Sequence, residues 1–277
     1  MEETKNFLKN LLANTSTKNK IFKRNLLKEY FQVLVLDFIY SHKDYSQLVF
    51  YGGSCLAHCY GLPRLSEDLD FIDLNKKINI ENLAKDLEIY FQKNIDITAK
   101  ATCQKFRISL KFPILKELEL ATIGESDHLI LKVEIFSHFD FCNKFEIETV
   151  PLFKFNKTIL IRTLDLSTLM STKIRAIFLR KWEEANKEGE ILANVKGRDY
   201  FDLMWFLQKG IRPNIKCIED IKDIKDLKIK LLEAIKKADS RSIQYDLEPL
   251  IDDEKLVKDL GTNLKKILEN GINRIKE

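Results

Sequence analysis

Apolar residues recur at helical spacing twice near the start of the chain, over residues 3–13 and then 20–40. In the longer stretch Leu26, Leu27, Tyr30, Phe31, Leu34 and Phe38 form one stripe. The pattern then shortens. Leu48-Val49-Phe50-Tyr51 is an apolar run stopped by Gly52-Gly53, which predicts a buried strand. A short helix is expected over 54–60, a turn at Gly61 and Pro63, and a second strand over 69–74. Residues 81–93 have helical periodicity, 106–112 alternate like a half-buried strand, and 129–136 and 147–150 predict further strands. Beyond Asp165 the spacing is helical, over 166–181, 198–208, 225–237 and 254–274. Helix alternating with strand, followed by helices, predicts an α/β domain over 1–164 and a helical domain over 165–277.

Bulk properties fit this division. A hydrophobic content of 45% over 277 residues fills one large core or two moderate ones, since cores tend to split beyond about 250 residues. The formal charge of +4 is too small for coating nucleic acid by charge alone, although a polyanionic partner is allowed. In the lysine-rich last third, Asp220, Asp223 and Asp226 offset Lys222, Lys225 and Lys228, as on a solvated face. The five cysteines are odd in number and contain no CxxC pair, so neither a disulfide framework nor a zinc site is expected. Cys55 and Cys59 read as small buried apolar residues. The N-terminus carries charges throughout, unlike a signal peptide, and no run approaches the roughly 18 apolar residues of a membrane span. A cytoplasmic location without membrane association is the expectation. Four histidines are too few and scattered for histidine-based catalysis, and His58 reads as packing.

The segment from Tyr51 to Leu74, YGGSCLAHCYGLPRLSEDLDFIDL, carries the chemistry. Glycines between a strand and a helix let backbone approach a ligand, and the helix start offers free N–H groups to phosphate. Ser54 is placed to cap that helix and to offer a hydroxyl. Asp68 and Asp70 lie two apart on a strand, so both face one side while Leu69 faces the core. Neighbouring carboxylates resist joint ionisation unless a cation sits between them, and hard oxygen donors favour Mg²⁺. Asp73 faces the other way. Ser66 either caps the turn after Arg64 or, if extended backbone reaches back that far, shares the face of Asp68. An added phosphate there would compete for the metal and repel a nucleotide.

Gly-Gly-Ser, a short helix and then Arg64-Leu65-Ser66-Glu67-Asp68-Leu69-Asp70-Phe71 resembles the signature of the polymerase-β-type nucleotidyltransferases, in the form found in the AbiEii/AbiGii toxin family. The interval from Ser54 to Asp68 is slightly longer than in the general motif. The resemblance implies a mixed sheet and a helical domain that completes the active site. It implies that Gly52, Gly53, Ser54, Arg64, Ser66 and Lys173 bind nucleotide and that Asp68, Asp70 and Glu134 hold one or two Mg²⁺ ions, with Mn²⁺ able to substitute. Glu134 stands where the superfamily usually has Asp, and its longer arm changes its reach. Leu169 to Ala176 resembles the family's lysine helix and Gly197-Arg198-Asp199-Tyr200-Phe201-Asp202-Leu203 its Arg-Asp-x-x-Asp helix. Lys173 lies in an apolar stripe, so it needs a partner, either Asp199 and Asp202 or a triphosphate. Asp199 would orient that triphosphate or serve the acceptor.

The activity implied is transfer of a nucleotide from a nucleoside triphosphate to an acceptor hydroxyl, a tRNA 3′ end by analogy, in a toxin with a cognate antitoxin. A small-molecule nucleotidyltransferase and a non-catalytic nucleotide-binding protein are the alternatives.

Overall fold

The computed structural model describes residues 2–15, 17–95, 97–180, 183–185 and 189–276. They form two compact units, Met1–Phe139 with Glu148–Thr163, and Asp140–Ile147 with Leu164–Glu277.

The first unit opens with α1 (Glu2–Ala13) and α2 (Lys20–Ser41), the second started by the Asn19 side chain, which accepts from the N–H groups of Ile21 and Phe22. Then follow β1 (Val49–Tyr51), α3 (Gly52–Tyr60), β2 (Leu69–Ile72) and α4 (Ile80–Tyr90), which runs into a π-turn over Phe91–Ile95. Strands β3 (Lys100–Gln104), β4 (Arg107–Pro113), β5 (His128–Phe136), β6 (Ile147–Lys154) and β7 (Lys157–Leu164) complete the unit. The seven strands lie in the order β3-β4-β5-β2-β1-β7-β6. Strand β2 runs antiparallel to β1 and parallel to β5, so the sheet is mixed, as expected.

Alternation along β4 and β5 gives this sheet two faces, although Val49 and Ile72 are buried on the second. Ile108, Leu110 and Phe112 of β4, Leu129, Leu131, Val133 and Ile135 of β5, and Leu69 and Phe71 of β2 are buried. Helix α2 packs on β5, and α4 on β3 and β4. Phe31 of α2 stacks on Phe112 at 4.2 Å between ring centres. The opposite face carries Arg107, Ser109, Lys132, Glu134, Phe136 and Asp70, all partly exposed.

The second unit contains α5 (Leu166–Leu179), the short pair β8 (Glu184–Ala185) and β9 (Ile191–Ala193), α6 (Gly197–Gln208), a 3-10 turn over Ile215–Cys217, α7 (Ile224–Lys236), α8 (Ser240–Leu247) and α9 (Glu254–Asn273). Residue 181, the expected end of α5, lies outside the described residues. An aspartate starts four of these helices: Asp165, Asp223, Asp239 and Asp253 accept from the N–H of Thr168, Asp226, Ser242 and Leu256. Each such cap is worth about 1 kcal/mol over alanine.

Three features depart from the sequence expectations. Strands β3 and β7, helix α8 and the β8–β9 pair were not anticipated. Helix α3 starts at Gly52 with Tyr51 as its cap residue, so Ser54 lies inside the helix and does not cap it. Cys142 and Cys217 are paired as a disulfide across 75 residues, where no bridge was expected, because their spacing in the chain carries no signal.

Candidate active site

The turn from β1 into α3 is built around glycine for a steric reason. Gly52 sits at φ +81°, where L side chains are strained, and a Cβ there would overlap Oδ2 of Asp70. The Asp70 carboxylate therefore lies directly over the helix start. A Cβ on Gly53 would come within 2.8 Å of Arg64 Nη2 and 2.9 Å of Ser66 Oγ, so the guanidinium and the hydroxyl occupy the space above that residue. Arg64 is buried and its Nη1 donates to the Leu65 carbonyl at 2.8 Å. Ser54 is fully buried and its hydroxyl donates to the Asp68 carbonyl, tying the helix to the carboxylate strand.

Strand register brings the acids together. Asp70 is opposite Glu134 on β5 and opposite Tyr51 on β1. Asp68, expected on the strand, stands just before β2, and its Oδ2 lies 3.9 Å from Lys132 Nζ. Burial pushes the Asp68 carboxyl above the usual aspartate range; Lys132 opposes this, while Glu67 and Glu134 add to it. Glu134 is already engaged, because Arg107 Nε and Nη2 both reach its Oε1 at 2.6 Å. Among the described residues no three His, Cys, Asp or Glu side chains are grouped to hold a metal. Of the expected trio Asp68, Asp70 and Glu134, Glu134 stands opposite Asp70 and shares its carboxylate with Arg107. The remaining pair still fits Mg²⁺, which takes one or two carboxylates and fills its shell with phosphate and water. A carboxylate pair in which Asp68 is costly to ionise is a place where a cation is stabilising.

Ser66 precedes the strand, so the extended geometry does not reach it. Its carbonyl accepts from Gln32 Nε2 at 2.9 Å, and Gln32 Oε1 meets His58 Nε2 at the same distance. Burial lowers the His58 pKa to about 3, so the ring is neutral and serves packing, as expected. Asp73 is buried and accepts from the Ile78 N–H at 2.8 Å, outside the cluster. Gln32, Arg107 and Lys132 were not anticipated. Lys132 and Arg107 lie on alternating strands, but only cross-strand register reveals their acidic neighbours.

In the second unit Lys173 Nζ lies 2.7 Å from Asp202 Oδ2 and 3.5 Å from Asp199 Oδ1. Asp199 also meets Arg180 Nη1 at 2.5 Å. The lysine in the apolar stripe therefore has its partners, and both acids are buried. Arg198 bonds instead to Asp246, through its N–H to Oδ2 at 2.9 Å.

Residues 37–267 match the family model described as nucleotidyl transferase AbiEii toxin, type IV TA system. Among solved structures, the MenT4 nucleotidyltransferase toxin Rv2826c from Mycobacterium tuberculosis H37Rv is similar with a TM-score of 0.56 and 11% identity, over 98% of this chain and 90% of that one. JHP933 from Helicobacter pylori is similar with a TM-score of 0.50 and 19% identity, over 91% of this chain and 93% of that one. At these identities the likeness is one of fold. No curated protein matches the chain.

Proposed function

Because the chain belongs to the AbiEii nucleotidyltransferase toxin family of type IV toxin–antitoxin systems, we propose that it transfers a nucleotide from a nucleoside triphosphate to a hydroxyl of RNA, in a Mg²⁺-dependent reaction. The observation that carries this reading is the Asp70 carboxylate lodged over Gly52, at the start of a helix whose next residue lies under Arg64 and Ser66. Anion-binding backbone and cation-binding carboxylate meet at one point, which is what a metal-bound triphosphate requires.

In this reading Gly52, Gly53 and Ser66 line the phosphates, and Arg64 offers charge to them. Asp68 and Asp70 would hold Mg²⁺, which would supply positive charge to offset that of the triphosphate. Ser54 acts indirectly, by fixing the Asp68 backbone to α3. The acceptor hydroxyl oxygen bonds to the α-phosphorus, the bond from that phosphorus to the β-bridging oxygen breaks, and pyrophosphate leaves while the hydroxyl proton passes to solvent. The protein's contribution is positioning and fixed charge. The family implies an antitoxin as partner. No helix among the described residues is long and apolar enough to cross a membrane, which is consistent with the cytoplasmic reaction we propose.

The test is incubation with each labelled nucleoside triphosphate, Mg²⁺ and total RNA. Label should enter a tRNA-sized band and be lost with EDTA. Label on a small molecule, or bound nucleotide without turnover, would overturn the reading.

A further inference from the structure

Beside the carboxylates, the polar face of the sheet carries a group of aromatic rings that the reaction chemistry does not use. Phe136 follows Glu134 by two residues on β5 and so stands on the same face. Tyr51 is opposite Asp70. Phe106 lies 4.7 Å from Phe136, with ring planes inclined by 32°. Tyr51 meets Phe136 edge-on at 6.2 Å and Phe139 at 6.4 Å. The main hydrophobic core is on the other face; on this one Val49 and Ile72, in the row of Phe136, and Phe139 are buried, and Phe106 is the ring left open. Phe106 keeps 37% of its surface exposed, and Phe136 and Tyr51 are partly buried.

We propose that Phe106 and Phe136 form a stacking platform for a nucleobase beside Asp70, a site that rests on the nucleotidyl-transfer reading above. Three observations support it. Phe136 is one side-chain row beyond Glu134, about 6.6 Å along the strand at 3.3 Å per residue, a step comparable to the ribose that separates a base from its α-phosphate. Phe106 is exposed, and an exposed aromatic ring stacks on any base with little regard to sequence. Tyr51 braces Phe136 edge-on and is itself met edge-on by Phe139, which holds the Phe136 ring from one side. The Arg107 guanidinium, 5.8 Å from the Phe106 ring centre, is neutralised by Glu134, so it leaves the platform aromatic rather than cationic. Both the incoming triphosphate and the acceptor end carry a base, and the shared chemistry is the flat heteroaromatic ring.

The experiment compares Phe106→Leu, Phe136→Leu and the aromatic replacements Phe106→Tyr and Phe136→Trp with the full-length parent. Each is assayed for binding of a nucleoside triphosphate and of ribose 5-triphosphate, which lacks the base, and for transfer kinetics with the RNA acceptor. Thermal melting confirms that each variant is folded. The leucine variants should bind the nucleoside triphosphate about tenfold more weakly, bind the abasic probe as the parent does, and raise KM with little change in kcat. The aromatic variants should restore binding. If the KM for RNA rises instead while triphosphate binding is unchanged, the platform takes the acceptor's base. Equal losses for base-bearing and abasic probes, or no loss for any substrate, overturn the proposal. If the parent binds triphosphate but the leucine variants match it in every assay, only the platform fails. If the parent binds no triphosphate and transfers nothing, the transfer reading falls with it.

Discussion

Asp68 and Asp70 are separable by thermodynamics as well as activity. The folded-state pKa of Asp68 is raised, so between the unfolded value and that raised value the folded protein holds more protons than the unfolded one. Stability from this group is therefore lost as pH rises through the window, and ionised Asp68 is a cost in the metal-free protein near neutrality. Asp68→Asn should raise the melting temperature of the metal-free protein at pH 7 while lowering transfer by about a hundredfold or more. A variant that is both less stable and fully active would remove Asp68 from the site. Gly52→Ala makes the opposite pairing. Its Cβ would collide with Asp70 at a φ that alanine avoids, so it should lose both stability and activity, whereas Gly61→Ala, also at positive φ but in open space, should lose stability alone. Measuring melting and transfer on both separates strain from displacement of Asp70. At this scale Asp70 was legible, because alternation after Leu69 sets it apart from the core face, whereas Asp68, expected on the same strand, stands just before β2. The Arg107 claim on Glu134 was not legible, since it depends on which strand lies beside β5.

Elements were readable where periodicity was strong and obscure where a turn lacked its usual residues. The β6–β7 hairpin turns through Phe155 and Asn156, both at positive φ, and phenylalanine gives no turn signal, so β7 went unseen despite its alternation. Strand β3 is exposed at the sheet edge and has no apolar rhythm to reveal it. Helix α8 is short, although Asp239 and Ser242 form a readable cap. The lysine helix was recognisable because a lysine interrupts an apolar stripe, and α5 and α6 are joined through it. The sequence left two roles for Lys173, a structural ion pair and a charge for the triphosphate. Removing it takes away the cation 2.7 Å from Asp202, a fully buried acid, so Lys173→Ala should cost about 3–5 kcal/mol in denaturant unfolding. The double variant Lys173→Ala/Asp202→Ala should recover much of that. If the stabilised double variant also regains turnover, Lys173 is structural only; if activity stays down by orders of magnitude, it serves the reaction.

Across the whole molecule, the feature least accessible to sequence is the segment Asp140–Ile147, which leaves the sheet after β5 and packs with the helical unit. Asn214 Nδ2 donates to the Lys144 carbonyl at 2.6 Å, and the Arg175 guanidinium lies 3.3 Å from the Phe141 ring centre while also bonding Glu219. Cys142 and Cys217, both buried, join the same two stretches. A bridge spanning 75 residues removes loop-closure entropy from the unfolded chain, worth about 4.5 kcal/mol in the simple chain model. For a chain of this size that corresponds to a melting shift of roughly 10 °C. Protein purified without reductant should melt higher than the reduced form by about that amount, and Cys217→Ser should melt like the reduced form in either buffer. Alkylation before and after denaturation should label Cys55, Cys59 and Cys103 but spare Cys142 and Cys217 until reductant is added. In a compartment that keeps thiols reduced the same two residues are a buried thiol pair, held by the Asn214 and Arg175 contacts rather than by a bond. Five alkylated cysteines in unreduced, denatured protein would show that those contacts alone hold the segment, and reductant should then leave the melting temperature unchanged.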